Sequence, residues 1–325
     1  MHVDRLQQIE TGSLAPNRWL FCPPGAIRVV NWNVNRGLKL PGIVDFLAAT
    51  NADLILLQEV DLNARRTHGL NIARELARRL KMNYVFAREF QELTQGSQAS
   101  PAFHGQATLS RWPLSNSRII RFQRQSHFWD PHWFLPEIEP FQERLGGRLA
   151  LVSQMQVAEQ TLVSYNLHLE SRSNDDLRCS QLRETLDDVA RYRFDFPIVL
   201  AGDLNLEVPR TAASGLFAAA QFRDAFQNDH SPTTPPHSVF QRPRVIDWIF
   251  TRGPIHATNP TVHSSVSASD HYPLSVVFTC LSCEEVVGQT CSGERVAGSS
   301  PKFEAARSAA ILICSSVPAK NGATC

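Results

Sequence analysis

Between Ala26 and Phe278 the chain runs as a series of short apolar stretches, several of them too close together for a helix to cross between them. AIRVVNW (26–32), LILLQEV (54–60), ATLSRW (107–112), GRLALVSQM (147–155), TLVSYNLHL (161–169), PIVLAGDL (197–204), VIDWIF (245–250) and YPLSVVF (272–278) read as strands. Helical patterns are fewer: a short helix through DFLAAT, NIARELARRL (71–80) with its arginines opposite the apolar stripe, and a helix over 175–193. Closely spaced strands imply antiparallel hairpins, because a parallel pair needs a long crossover. The expected class is therefore mixed α/β, with two sheets packed face to face and each backed by helices.

A chain of 325 residues would hold two domains at about 150 residues each, but one α/β unit of about 250 residues is equally allowed. Residues 1–25 are polar, end in the turn signal Pro23-Pro24-Gly25, and read as a leader. From Leu281 the periodicity stops, and a poorly ordered tail over 280–325 is expected to be dispensable for folding. Five of the seven cysteines lie there: Cys280, Cys283, Cys291, Cys314 and Cys325. Cys280 and Cys283 form a CxxC, but a structural zinc site needs four ligands and no second pair or nearby histidine completes it. The odd cysteine count and the absence of a secretion signal argue against a disulfide framework and for a cytoplasmic protein. No apolar stretch approaches the roughly 18 residues that span a bilayer. With 32 Lys+Arg against 31 Asp+Glu, the net charge is +1, which disfavours binding through many phosphate contacts alone.

Chemistry is carried by polar residues at strand ends. Asn31, Asn33 and Asn35 lie at and beyond the end of the first strand, and Glu59 closes LILLQEV. His168 closes YNLHL, Asp203 and Asn205 follow IVLAG, Asp247 sits in VIDWIF, and Asp270 and His271 precede the last strand. Each has a structural alternative: Glu59 paired with Arg65 or Arg66, His168 satisfied in the core, Asp203 and Asn205 or Asp270 and His271 forming turns. Jointly these alternatives are hard to sustain, because polar groups at so many strand ends cost free energy unless they are paired or ligated in a common place. The segment from Phe122 to Arg144 is irregular and rich in aromatics, including Trp129 and Trp133; it reads either as a substrate-facing loop or as a satellite cluster under a long loop.

In order, NWNVNRG (31–37), LLQEVD (56–61), GQATLSRWPL (105–114), YNLHLES (165–171), AGDLN (201–205), IDWIF (246–250) and SDHYPL (269–274) resemble the endonuclease/exonuclease/phosphatase superfamily. The resemblance spans about Ile27 to Phe278. It implies a four-layer α/β sandwich of two mixed sheets flanked by helices, a catalytic domain over 26–279, and metal-dependent hydrolysis of phosphoester bonds. By matching motifs, Glu59 corresponds to the principal Mg²⁺ ligand, assisted by Asn33 and Asp270, with Mn²⁺ an acceptable substitute. Oxygen donors suit such a hard cation. Asp203 and Asn205 correspond to the pair that positions and polarises the attacking water. His271 would contact the scissile phosphate with Asp247 behind it, and His168 would stabilise phosphate charge or protonate the leaving oxygen.

No serine or cysteine nucleophile with a partnered base and no Walker-type loop occurs, so covalent and nucleotide-driven mechanisms are disfavoured. Two departures from the family pattern stand out. Asn35 replaces the acidic residue that ends the first motif in abasic endonucleases, and Gly105-Gln106-Ala107 stands where many relatives have Gly-Asn-Ala. Arg36, Gln106, Arg144 and Arg178 are candidate phosphate contacts, beside Arg148 and Arg172, which are equally readable as surface arginines. The expected substrate is a phosphoester, with DNA or RNA ahead of a phospholipid or inositol-phosphate diester, and a non-catalytic binding relative as the remaining reading. No stable protein partner and no membrane span are expected. A bound metal would place positive charge in the cleft, so a net charge of +1 remains compatible with a phosphodiester substrate.

Overall fold

The computed structural model describes residues 5–16 and 26–280, apart from 133, 135–137, 139–140, 158–159, 228–230 and 237–241. Most of the expected leader, Trp133 and the chain beyond Cys280 therefore lie outside the described residues. The strands are β1 (Ile9–Gly12), β2 (Ile27–Arg36), β3 (Leu54–Leu62), β4 (Asn83–Glu92), β5 (Ala102–Ser110), β6 (Ser115–Arg121) and β7 (Arg144–Gly146) in the first half. They continue with β8 (Leu149–Val157), β9 (Gln160–His168), β10 (Ile198–Asp203), β11 (Arg223–Asp224), β12 (Asp247–Arg252), β13 (Ile255–Val262) and β14 (Leu274–Cys280). The helices are α1 (Leu40–Thr50), α2 (Ile72–Leu80), α3 (Asp175–Val189) and α4 (Ala213–Ala219).

One sheet has the order β1-β4-β5-β3-β2-β14-β13, with β7 added beside β4; the other runs β11-β12-β10-β9-β8-β6. Each contains one parallel pair, β2 with β3 and β9 with β10, among antiparallel neighbours. Strand alternation sorts the side chains into layers. On β2, Val30, Trp32 and Val34 face α1 and α2, while Ile27 and Val29 face the other sheet. On β10, Ile198 and Leu200 join the layer under α3 and α4, while Val199 and Ala201 face inward. The result is helix, sheet, sheet, helix, as the sequence pattern and the family resemblance imply.

Several strands escape the sequence pattern for identifiable reasons. β4 carries Arg88, Glu89 and Glu92, charges that disguise a strand whose Glu89 and Glu92 are buried. β13 contains Pro260, tolerated because β13 is an edge strand. β1 pairs with β4 through its backbone, so part of the polar leader belongs to the first sheet. Cys280, grouped with the tail by sequence, instead ends β14 opposite Ile255. No helix among the described residues is long and apolar enough to cross a membrane.

The small residue in AGDLN has a packing reason. A Cβ on Gly202 would lie 1.9 Å from the backbone oxygen of Leu167 on the neighbouring β9, an overlap neither strand can relieve alone. Gly202→Ala is expected to destabilise the fold by about 3 kcal/mol, the upper end of the overpacking range. Urea unfolding at unchanged slope measures it, and a variant as stable as the parent would mean that β9 and β10 part readily.

Candidate active site

The inward faces of the two sheets are apolar at one end and polar at the other. Asn31 and Asn33 continue the inward face of β2 beyond Val29; Gln58 does the same on β3, Asn166 and His168 on β9, Asp203 on β10 and Asp247 on β12. All seven are buried. Gln58 Nε2 donates to Asn31 Oδ1 at 2.9 Å and across the interface to Asn166 Oδ1 at 2.7 Å. Asn166 Nδ2 returns bonds to the carbonyls of Leu57 and Ala107. These amides couple the sheets directly behind the strand ends. Asn31 is a member of the expected strand-end set, whereas Gln58 and Asn166 lie inside the family motifs as ordinary strand residues. The signal that could have found Asn166 is its spacing by two from His168, which puts both on one face of the strand.

Glu59 sits where the ladder breaks. Register shifts on both sides of it, against β2 and against β5, and a φ of 53° make it a bulge residue. The bulge leaves Gln58 inward and Val60 in the helix-facing core, and lets Glu59 turn towards the polar end. Burial would raise its carboxyl, but the guanidiniums of Arg36, first, and Arg148 help hold it well below the usual carboxylate range. Arg36 Nη1 is 3.9 Å away. The pairing with Arg65 or Arg66 does not form: Arg66 binds Asp61 at 2.7 Å and Glu92 at 3.1 Å.

Asp203 is the convergence point. Its Oδ2 accepts from Asn33 Nδ2 at 3.1 Å, and its Oδ1 accepts from the backbone N–H of Asn205 at 2.9 Å. Asn205 Nδ2 donates to the Leu169 carbonyl at 3.2 Å. The turn reading and the site reading of Asp203 and Asn205 are thus both met by one local geometry. His168 Nε2 and His271 Nε2 each lie 3.7 Å from that same Asp203 Oδ2. This is too long for a hydrogen bond, but it turns both ring nitrogens towards one carboxylate oxygen.

The two histidines differ in the partner that faces Nδ1. His271 Nδ1 faces Asp247 at 2.9 Å, while Trp32 Nε1 and Ser269 Oγ hold its backbone. Burial alone would lower its pKa; the carboxylates of Asp247 and Asp203 outweigh that and raise it to about 10. His271 is therefore an imidazolium at neutral pH, with Nε2–H directed at that oxygen of Asp203. His168 Nδ1 instead lies 2.7 Å from Arg148 Nη1. A guanidinium only donates, so this nitrogen accepts and the ring carries its proton on Nε2, also towards Asp203. Arg148 in turn pairs with the buried Glu89 at 3.1 Å.

Among the described residues, Asp203, Asp247 and His271 are the group of three whose ligand atoms lie within 4.8 Å of one another. A protonated His271 has no free lone pair, and its charge is balanced by the two carboxylates beside it. Oxygen donors of the kind a hard divalent cation takes are also offered by Glu59, whose carboxyl is held ionised, and by Asn33 Oδ1, which here accepts from Asn35 N at 3.1 Å. Asp270 is exposed, with Oδ1 bonded to Ser269 Oγ at 3.2 Å, and joins the cluster through the charge it presents to His271.

The candidate phosphate contacts separate. Arg36 borders Glu59. Gln106 is buried and spends Nε2 on Glu89 and the Leu149 carbonyl. Arg144 is buried against Glu92 at 2.9 Å and lies 4.7 Å from the centre of the Trp129 ring. Arg178 donates to the carbonyls of Glu170 and Ser171 and to Asp175, so its donors fasten a loop and nothing places it with the cluster. Sequence reasoning assigned no role to Glu89, Asp61 or His104, which lie on strands as single polar residues.

The family model described as "Endonuclease/Exonuclease/phosphatase family" matches residues 30–271. The chain belongs to the endonuclease/exonuclease/phosphatase family. An endonuclease/exonuclease/phosphatase from Beutenbergia cavernae is 19% identical at a TM-score of 0.57, covering 78% of this chain and 72% of that one. A humanized D. rerio TDP2 is 19% identical at 0.55, covering 78% and 99%. A Bacteroides vulgatus endonuclease/exonuclease/phosphatase is 13% identical at 0.56, covering 79% and 99%. At these identities the neighbours establish the fold. No curated protein matches the sequence significantly.

Two outcomes follow from the supports of the site. Arg148→Met leaves Glu89 buried without its guanidinium and is expected to cost about 3–5 kcal/mol of stability, read by urea unfolding; a neutral effect would mean that Glu89 is neutral in the fold. Burial holds His104 below the usual histidine range despite its Asp61 partner. Its contribution is complete above its ordinary value of about 6.5 and is lost as pH falls through the lowered folded value. His271, whose pKa is raised, changes stability in the opposite sense, so the test is the difference: as pH falls below about 7, the parent should lose more stability, or gain less, than His104→Gln; equal slopes would refute the assignment.

Proposed function

We propose that the protein is a Mg²⁺-dependent phosphodiester hydrolase acting on nucleic acid. The observation that carries this reading is the convergence of His168 Nε2 and His271 Nε2, each 3.7 Å from one Asp203 oxygen. Hydrolysis of a phosphodiester places negative charge on the non-bridging oxygens and on the leaving oxygen, and it needs a base opposite the departing group. The family acts on phosphoester bonds with a divalent cation. Here Glu59 and Asn33 would hold it, and when bound it supplies positive charge against the phosphate oxygens.

The chain's own residues divide the remaining work. His271, kept protonated by Asp247, donates from Nε2 to a non-bridging oxygen. Asp203, fixed by Asn33 and by the Asn205 amide, orients the attacking water and accepts its proton. Asn205 holds the turn that presents Asp203. His168, whose proton is placed on Nε2 by Arg148, donates towards the phosphate or the leaving oxygen. Mn²⁺ should replace Mg²⁺, because the donor set is all oxygen.

A phospholipid or inositol-phosphate diester is a second reading, favoured by the exposed Phe128, Phe134, Ile138 and Phe141 on the loop whose Gln142 reaches Arg36 at 3.5 Å. A non-catalytic relative is disfavoured, because Glu59, His168, Asp203, Asn205, Asp247 and His271 are all retained.

Turnover of bis-p-nitrophenyl phosphate with Mg²⁺, with Mn²⁺ and with EDTA tests the chemistry. Glu59→Ala and His271→Ala are expected to lower kcat/KM by about 10²–10⁴. Absence of metal-dependent turnover above these variants would sink the enzyme reading. A panel of single-stranded DNA, duplex DNA, RNA, sphingomyelin and inositol phosphates separates substrates, and preference for the last two would reject the nuclease assignment.

A further inference from the structure

Beside Asn205 and His271 the molecule opens a cleft of about 470 Å³ that these two residues share with Thr234, Arg242 and Arg244. Neither arginine belongs to the family motifs. Arg242 Nη2 is bonded to Glu207 at 2.9 Å, Arg244 Nε lies 4.0 Å from the same carboxylate, and Arg210 Nη1 lies 2.9 Å from it. Three guanidiniums therefore share one carboxylate, an excess of two positive charges in a chain whose net charge is only +1. Glu207 is mostly covered, while Arg242 and Arg210 are each 64% exposed and Arg244 44%. Arg244 Nη2 also donates to the backbone oxygen of Asn205 at 3.4 Å, which ties the cluster to the turn that presents Asp203.

A surface arginine with its own carboxylate needs no ligand. Three around one carboxylate leave most of their N–H donors unused, and two of the three, Arg242 and Arg244, line the cleft that His271 and Asn205 share. We propose that Arg242 and Arg244, with Arg210 behind them, form a subsite for a second phosphate of the substrate: the phosphodiester next to the scissile one in a polynucleotide strand. This rests on the phosphodiesterase reading of the adjoining site. A diester with a single phosphate, such as a choline phospholipid, has nothing to place there. Positive charge localised beside the site also explains how a nearly neutral chain could engage a polyanion, through one or two contacts near the chemistry instead of a basic face.

Two measurements test it. Binding of fluorescein-labelled hexathymidylate to the metal-free protein in EDTA, followed by anisotropy at low salt, reads the subsite without turnover. The Arg242→Ala/Arg244→Ala double variant is expected to bind at least about tenfold more weakly. The slope of log Kd against log salt should shrink by about 0.7 for each phosphate that the variant no longer neutralises. Glu207→Gln, which frees the guanidiniums, is expected to tighten binding. Turnover then separates one phosphate from several: the double variant should lose at least about tenfold more kcat/KM on hexathymidylate than on bis-p-nitrophenyl phosphate, chiefly through KM.

Binding by the double variant within about twofold of the parent, or no measurable binding by the parent, would overturn the subsite. So would equal losses on the two substrates, or a Glu207→Gln variant as impaired as the double one. A larger effect on an inositol bisphosphate diester than on hexathymidylate would overturn the polynucleotide assignment. If the parent protein fails to hydrolyse bis-p-nitrophenyl phosphate while the binding results hold, the failure belongs to the catalytic reading and not to the subsite.

Discussion

Polar side chains placed between two packed sheets must find partners across the interface, because neither sheet can reach water there. Gln58 Nε2, bonded at once to Asn31 in its own sheet and to Asn166 in the other, meets that requirement for its donors at the centre of the layer, while Gln58 Oε1 and Asn31 Nδ2 are buried without a hydrogen-bond partner among the described residues. An unpartnered buried amide would cost about 1–3 kcal/mol. The network therefore sets the relative position of β2, β3 and β9, and with it the strand ends that carry Asn33, Glu59 and His168.

From this link outwards the polar layer passes from fold to chemistry. Glu89 and Arg148 are buried as a pair, and Arg148 determines which nitrogen of His168 carries the proton. Asp247 and Trp32 hold His271, one at its ring and one at its backbone. Asp61, Arg66, Glu92 and Arg144 form a second chain of ion pairs. Buried ion pairs of this kind add little net stability, since desolvation offsets attraction. What they provide is fixed orientation: Arg148 holds the ring of His168, as Asp247 holds that of His271.

Much of the site is legible in the chain because strand periodicity and motif order act together. An apolar run with an acid or amide at its end places that residue at the edge of a sheet, and several such runs in order bring those edges together. Asn33, His168, Asp203, Asn205, Asp247 and His271 are found in this way. Glu89 and Arg148 are not, because a charged residue in a strand looks like solvent-facing decoration until the opposing sheet buries it. Arg178 shows the reverse: its place near YNLHLES suggests a phosphate contact, whereas a nearby loop uses its donors.

Architecture and family are written locally in the chain, since alternation of apolar residues dictates which face of each strand is buried, and motif order dictates which strand ends meet. Charge states and local departures emerge only when the sheets pack. The bulge at Glu59 depends on pairing with β2 and β5 at once, and the different ring partners of His168 and His271 lie far away in sequence. The arginines around Glu207 become a single positive patch only when the turn after β10 packs beside the approach to β12. Such features rest on distances between residues that the chain keeps apart, and no local pattern encodes them.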